Sequence, residues 1–275
     1  MRCIDFDTRF ADYARDWVEV HEDDYTDVDE MELAMPQVYQ QFLDTPADWL
    51  GGERPGQYFD QWDDPALLIG WLGDYLDQGV SVPDMLLNRI AELGEPAAEV
   101  LCHLLDDDDA TNEKKMLAVT LLRELDSLLP MERYVAWQYE RSDEDELCDN
   151  AMESLESMGE AAREAMLEGL EGASPAGREA LLGTLSHLTP DERVFEGLMA
   201  LLDARPRSRA VLAACLARLG DARALPRLME LAQEESLGYL DYIELRSAIE
   251  ALGGEAPERE FFDDPEYDAL MGVTP

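Results

Sequence analysis

A column of apolar residues recurring roughly every 32 positions limits this chain to a repeat architecture. Leu93, Leu125, Met158, Leu188, Leu219 and Leu252 follow one another at steps of 32, 33, 30, 31 and 33 residues. Three positions before each stands Ile90, Leu122, Leu155, Leu185, Leu216 or Ile249. Directly after each comes Gly94, Asp126, Gly159, Thr189, Gly220 or Gly253. A fixed period of this size marks stacked helix pairs, in which each unit buries its apolar face on its neighbour. A chain of 275 residues is long for one compact core but ordinary for such a stack.

Apolar residues fall at three- and four-residue spacings nearly everywhere, the helical period, so the chain reads as all-α. Helix starts and stops are legible in local chemistry. Gly220 ends one helix and Asp221 caps the next, whose apolar face is Leu225, Leu228, Met229 and Ala232, with Pro226 tolerated in the first turns. Asp64-Pro65, Ser174-Pro175 and Thr189-Pro190 each read as an N-cap followed by proline at the first helical position. The spacing predicts helix pairs at 65–78 with 83–93, 95–105 with 111–125, and 130–141 with 144–158. Further pairs are expected at 160–171 with 175–188, 190–202 with 207–219, and 221–234 with 238–252. Residues 1–62 break the beat and are expected to form an irregular helical cap with helices near 4–19 and 31–43; a separate binding module is the alternative. The expectation is therefore an all-α chain: an α-solenoid of about six helix pairs over residues 63–254, an N-terminal cap, and a C-terminal capping segment or tail over 255–275.

Leu219–Leu231, LGDARALPRLMEL, resembles the HEAT-like repeat named after phycobilisome lyases, with IAELGEPAA at Ile90–Ala98 and SMGEAAREA at Ser157–Ala165 as degenerate copies. The resemblance spans roughly residues 65–254. It implies a helical scaffold that binds other macromolecules; a minority of that family acts on bilin pigments, which keeps a small-molecule lyase or ligand-binding protein as an alternative. HEAT-like proteins that bind DNA are basic, unlike this chain.

Acidic residues number 63 against 21 basic, a formal charge of −42. That balance argues against a nucleic-acid partner and against an anionic membrane, both of which require a positive surface. It leaves two readings, a solvated acidic surface or a surface that meets a basic protein. Residues 1–158 carry 40 acids and 10 bases, against 23 and 11 in residues 159–275, so a basic partner would meet the N-terminal part first. Aromatic residues crowd the same region: Trp17, Tyr25, Tyr39, Trp49, Tyr58, Phe59, Trp62, Trp71 and Tyr75 are either cap core or an acid-rimmed patch. Cys3, Cys102, Cys148 and Cys215 are scattered, with no CxxC pair, which suits a reducing compartment. No stretch reads as a signal peptide or membrane span, and a cytoplasmic location is expected.

Chemistry is harder to find. His21, His103 and His187 lack a second ligand at metal-binding offset, and adjacent Cys102 and His103 point about 100° apart on a helix. Asp106–Asp109 lacks the glycine and the closing glutamate of a calcium loop and reads as a turn. No phosphate-loop, nucleophile-elbow or zinc-helix motif occurs, so no enzyme and no cofactor are expected. One local charge reversal stands out. Arg205, Arg207, Arg209, Arg218, Arg223 and Arg227 lie among the residues 205–227 against the single acid Asp221. Either these arginines pair with acids on neighbouring helices, or they anchor a carboxylate or phosphate of a partner. The function expected is a non-catalytic scaffold for a protein partner, a basic one by charge. A narrower alternative is an immunity-type or nucleic-acid-mimic inhibitor of a basic toxin or enzyme.

Overall fold

The structure, a computed structural model, describes residues 3–25, 27–261 and 264–271. Its described elements are helices throughout, with one isolated antiparallel bridge between Ala47 and Glu53. Among the described residues no helix is long and apolar enough to cross a membrane. The chain divides into two compact units, Met1–Leu129 and Pro130–Pro275.

The first unit opens with α1 (Phe6–His21) and α2 (Val28–Asp44), followed by short 3-10 turns at Asp48–Leu50 and Pro55–Gln61. Asp27 caps α2 by accepting from the backbone N–H of Glu30 at 2.8 Å, so this helix starts earlier than its apolar pattern suggested. The aromatic residues here make a core. Phe6, Phe42 and Phe59 are buried, and Phe6 meets the rings of Trp49, Tyr58 and Phe59 at 5.8–6.0 Å. Trp62 stands edge-on to Trp71 at 4.6 Å, which joins this cluster to α3 (Pro65–Gln78). Buried Tyr75 of α3 donates its hydroxyl to the carbonyl of Ile4 at 3.1 Å. Then come α4 (Asp84–Glu92), α5 (Glu95–Asp106) and α6 (Asn112–Glu124). Helix α3 packs on α4 and α5, and α6 packs on α4 and α5. Asp107–Ala110 is a turn between α5 and α6, as its composition implied, and Thr111 caps α6.

The second unit holds α7 (Met131–Trp137), α8 (Glu146–Met158), α9 (Arg163–Gly169), α10 (Pro175–Leu185), α11 (Glu192–Ala204), α12 (Arg209–Leu219), α13 (Leu225–Ala232), α14 (Tyr239–Ala251) and α15 (Pro265–Met271). Neighbours in sequence pack in pairs, α7 on α8, α9 on α10, α11 on α12 and α13 on α14. Alternate helices also touch, α8 on α10, α10 on α12 and α12 on α14.

The repeat seen in sequence is a repeat in burial and in backbone. Ile90, Leu122, Leu155, Leu185, Leu216 and Ile249 are each 1 % exposed or less. The residues three positions later, Leu93 to Leu252, are half-buried at helix ends. The true core column is thus the earlier one. The position after those residues has a positive φ at Gly94, Gly159, Gly220 and Gly253, between 56° and 83°; Gly220 is left-handed helical at ψ 17°, whereas Gly94 and Gly159 open out to ψ −133° and −130°. Asp126 at the same repeat position also has a positive φ, 50°, the one such non-glycine residue among those described.

The copy at Thr189 closes differently. Glu160 accepts from both the backbone N–H and the hydroxyl of Thr189, at 2.6 and 2.7 Å. That hydroxyl is therefore spent on an ion-like contact, and Asp191 rather than Thr189 caps α11, accepting from the N–H of Arg193 at 2.9 Å. Ser174 does cap α10 as expected, with Pro175 at its first position.

The start of α10 is locked to the end of α7. Ser174 donates its N–H to the carbonyl of Gln138 at 3.1 Å and its hydroxyl to the carbonyl of Arg141 at 2.7 Å. Gln138 is fully buried, and its side-chain amide donates to the carbonyl of Tyr134 at 3.1 Å. Gly177 passes so close that a Cβ there would lie 2.0 Å from the Gln138 carbonyl oxygen. Gly183, on the outer side of the same helix, has nothing within 4 Å of that position.

Two expectations follow for stability, read as urea midpoints at constant slope. Gly177→Ala should cost at least about 1–3 kcal/mol through overpacking, whereas Gly183→Ala should be neutral or gain up to about 1 kcal/mol. Asp126→Gly should gain about 0.5–1 kcal/mol by relieving the left-handed turn.

Candidate protein-binding face

Four of the six arginines marked by the sequence are consumed within the fold. Arg205 pairs with Asp143 and Glu179. Arg209 donates to Glu234 at 2.6 Å and to the carbonyl of Leu202 at 3.1 Å, which caps the end of α11. Arg223 forks onto Glu192 at 2.8 Å twice and onto Asp221, with its guanidinium 4.2 Å from the Phe195 ring. Arg227 pairs with Asp203 and Glu230. The Arg205 guanidinium holds the Asp143 carboxyl below the usual carboxylate range, helped by the charge of Arg207.

The remaining two differ. Arg218 donates to the hydroxyl of Ser186 at 2.6 Å and to no carboxylate among the described residues. Arg207 is exposed and makes no ion pair among the described residues.

A second arginine series accompanies them. Arg133, Arg163, Arg193 and Arg223 stand 30 residues apart. Arg163 donates to Asp191 at 2.9 Å and to the carbonyl of Thr189 at 3.1 Å. Arg193 donates to Asp191 at 3.0 Å and reaches back to Glu164 at 3.3 Å; Arg223 makes the corresponding reach to Glu192. The result is a charged edge in which Arg163, Arg193 and Arg223 each join an acid of their own helix pair to an acid of the adjacent one. The 30-residue interval was readable in sequence; its partners were not, because acids surround every arginine in this composition. Exposed pairs of this kind contribute about 0–1 kcal/mol each, so the buried column, at about 1.5–3 kcal/mol per side chain, outweighs them.

The outward stripes of α10, α12 and α14 hold one of the groups of exposed apolar side chains on this surface; Leu128 and Leu129 make another. With the buried column as phase reference, helical spacing puts Ala176, Ala180, Gly183 and His187 on one outward stripe, and Val211, Ala214 and Arg218 on the next, with Arg207 just before it. On α14 the corresponding stripe is Leu240, Glu244, Ser247 and Ala251, with Glu244 at the place Val211 holds on α12, and Ile243 lies beside it. Val211 is 59 % exposed, Leu240 47 % and Ile243 36 %. These apolar side chains lie on helices that pack directly against each other, α12 on α14. In a chain of −42, the α10 and α12 stripes carry small and apolar side chains and no acid, whereas the α14 stripe carries Glu244. At its α14 edge Ile243 also lines a groove of about 1090 Å³, whose walls combine Phe261 and Tyr267 with the acids Glu250, Glu255, Glu258 and Glu260. Sequence reasoning marked the arginines but missed Val211, Leu240 and Ile243, whose exposure becomes visible only when the helix phase is fixed.

Other candidates recede. Among the described residues no group of three or more His, Cys, Asp or Glu side chains is placed to hold a metal ion. Cys148 is buried, and that burial pushes its thiol up to about 12, so it carries no thiolate at neutral pH.

Asp191 offers a clean test of the charged edge. Its carboxyl sits well below the usual range, first because the Arg193 side chain donates to it. A depressed acid contributes stability that is present above its unfolded value, near ~3.9, and lost as pH falls through the lower folded value. Asp191→Ala should therefore cost about 1–2 kcal/mol at pH 7, with the deficit narrowing below pH ~4; Asp191→Asn should keep the cap and lose only the pH-dependent part.

No family model, curated protein or solved structure matches the chain, so the arrangement itself carries the functional reading.

Proposed function

We propose that this chain is a HEAT-like α-solenoid that serves as a non-catalytic scaffold and docks a protein partner of net positive charge. The observation that carries this reading is the outward face of α10, α12 and α14. Exposed apolar side chains on adjacent helices, flanked by arginines, have the composition of an interaction centre rather than of a solvated surface. The recurrent buried column, the positive-φ turn after it and the contacts between alternate helices support the solenoid part of the proposal. The charge of −42 supports a basic partner, because a field of that sign speeds encounter with a cation-rich surface and opposes approach to phosphates.

Affinity capture from the native host at low and high salt, with mass spectrometry, tests it. One stoichiometric protein of basic composition should be retained at low salt and weakened at high salt. Val211→Asp with Leu240→Asp should abolish retention, since both sites are exposed and the fold has no stake in them. Leu33→Asp, at an 83 % exposed leucine in the other unit, should leave it intact. Retention unaffected by the double variant, or capture of no protein by the parent, overturns the reading.

A further inference from the structure

We propose that the groove beside α14 takes an arginine side chain from a basic segment of the docked partner, seated between aromatic rings and unpaired carboxylates. The inference rests on the docking reading above and says where the partner's positive charge lands.

The groove is made by chain that turns back. After α14, residues 255–261 return along that helix and are pinned at three places. The Tyr242 hydroxyl donates to the carbonyl of Pro257 at 2.7 Å. Arg259 donates to the carbonyls of Glu234 and Glu235 at 2.5 and 2.9 Å. Asp264 accepts from the N–H of Tyr239 at 2.9 Å, and so caps α14, whose own Gly238 has no side chain to do it. Phe261 stands edge-on to Tyr239 at 5.1 Å and 6.0 Å from Tyr267. The hollow of about 1090 Å³ lies between this returning segment and α14.

Unpaired acids are common on a chain with 63 acids and 21 bases, so charge alone selects nothing. What sets this place apart is acids and rings around one concavity. Glu255, Glu258 and Glu260 line it, are exposed, and make no side-chain hydrogen bond or ion pair among the described residues. Arg246 is already committed to Glu250 at 2.7 Å, although the charge of Glu258 also acts on it. Arg259 is committed to backbone carbonyls. Between these groups stand the half-buried rings of Tyr239, Phe261 and Tyr267.

The same chain shows what such a set of groups holds. Arg223 lies 4.2 Å from the Phe195 ring while forking onto the Glu192 carboxylate at 2.8 Å. In the groove the Arg259 guanidinium lies 4.9 Å from the Phe261 ring, so that ring already accepts a cation of this type. Rings and carboxylates recur there without a guanidinium to join them. A guanidinium is planar and weakly hydrated, and it stacks on a ring while donating in its plane; an ammonium is compact, strongly hydrated and gains less. An acidic segment would meet like charge, and an apolar one would cover three carboxylates without a partner. Ile243 both lines the groove and lies beside the α14 stripe, so a partner that covers Leu240 borders this opening.

Fluorescence anisotropy at physiological salt, with the full chain and labelled hexa-arginine and hexa-lysine peptides, tests this. The arginine peptide should bind about fivefold tighter than the lysine peptide. Glu255→Gln, Glu258→Gln and Glu260→Gln together should weaken the arginine peptide about tenfold. A charge-matched set of exposed acids in the other unit, Glu99→Gln, Asp108→Asn and Asp109→Asn, should change it less than about twofold. Phe261→Leu, which keeps an apolar anchor, should narrow the preference for arginine. Equal losses in the two triple variants assign binding to the overall field and overturn the groove, as does binding of neither peptide. Equal affinity for the two peptides overturns the guanidinium assignment. The docking reading fails separately: a host partner kept by the groove triple variant but lost from the Val211→Asp, Leu240→Asp chain overturns the groove alone.

Discussion

This fold rests on a buried aliphatic layer in which one side chain per helix pair recurs at the repeat interval, beside equally buried neighbours such as Leu212 and Leu245. Ile90, Leu122, Leu155, Leu185, Leu216 and Ile249 are sealed from water, and truncating any of them to alanine leaves a cavity costing about 2–5 kcal/mol. These residues fix the rotation of the second helix in each pair. Once that rotation is set, the outward stripe, the cap at the helix start and the positive-φ turn at its end have no further freedom. The face that carries Val211 and Arg218 is therefore a consequence of where Leu216 points.

Electrostatics plays the secondary role that its magnitude allows. With 63 acids and 21 bases the chain repels itself, and its arginines are spent mainly on reducing that strain. The series at Arg163, Arg193 and Arg223 and the pairs of Arg205, Arg209 and Arg227 all place a guanidinium among carboxylates of successive helices. An arginine left out of this arrangement is the informative case.

Much of the architecture was legible because it obeys local rules. The 3.6-residue period, the Asp64 and Ser174 caps and the glycine turns each act over a few residues, and all stand where the pattern placed them. The failures involve longer reach. Thr189 looked like a cap, but Glu160, 29 residues earlier, claims its hydroxyl, and Asp191 takes over. The helix expected at 130–141 stops at Trp137 because Gln138 turns inward and meets Ser174 of the next pair. The arginine cluster was visible as charge, yet which members are neutralised depends on acids such as Asp143 and Glu179, distant in the chain. Exposure of Val211 and Ile243 required the helix phase, which no single segment reveals.

The 30-residue arginine series has a consequence for how such a chain changes length. Arg193 and Arg223 each join an aspartate of their own pair, Asp191 or Asp221, to a glutamate of the preceding one, Glu164 or Glu192, which stands 29 residues back in the first case and 31 in the second. An edge built this way is self-matching. Duplication or loss of one whole unit brings a donor of the same kind against an acceptor of the same kind, and the new junction inherits its ionic seam ready-made.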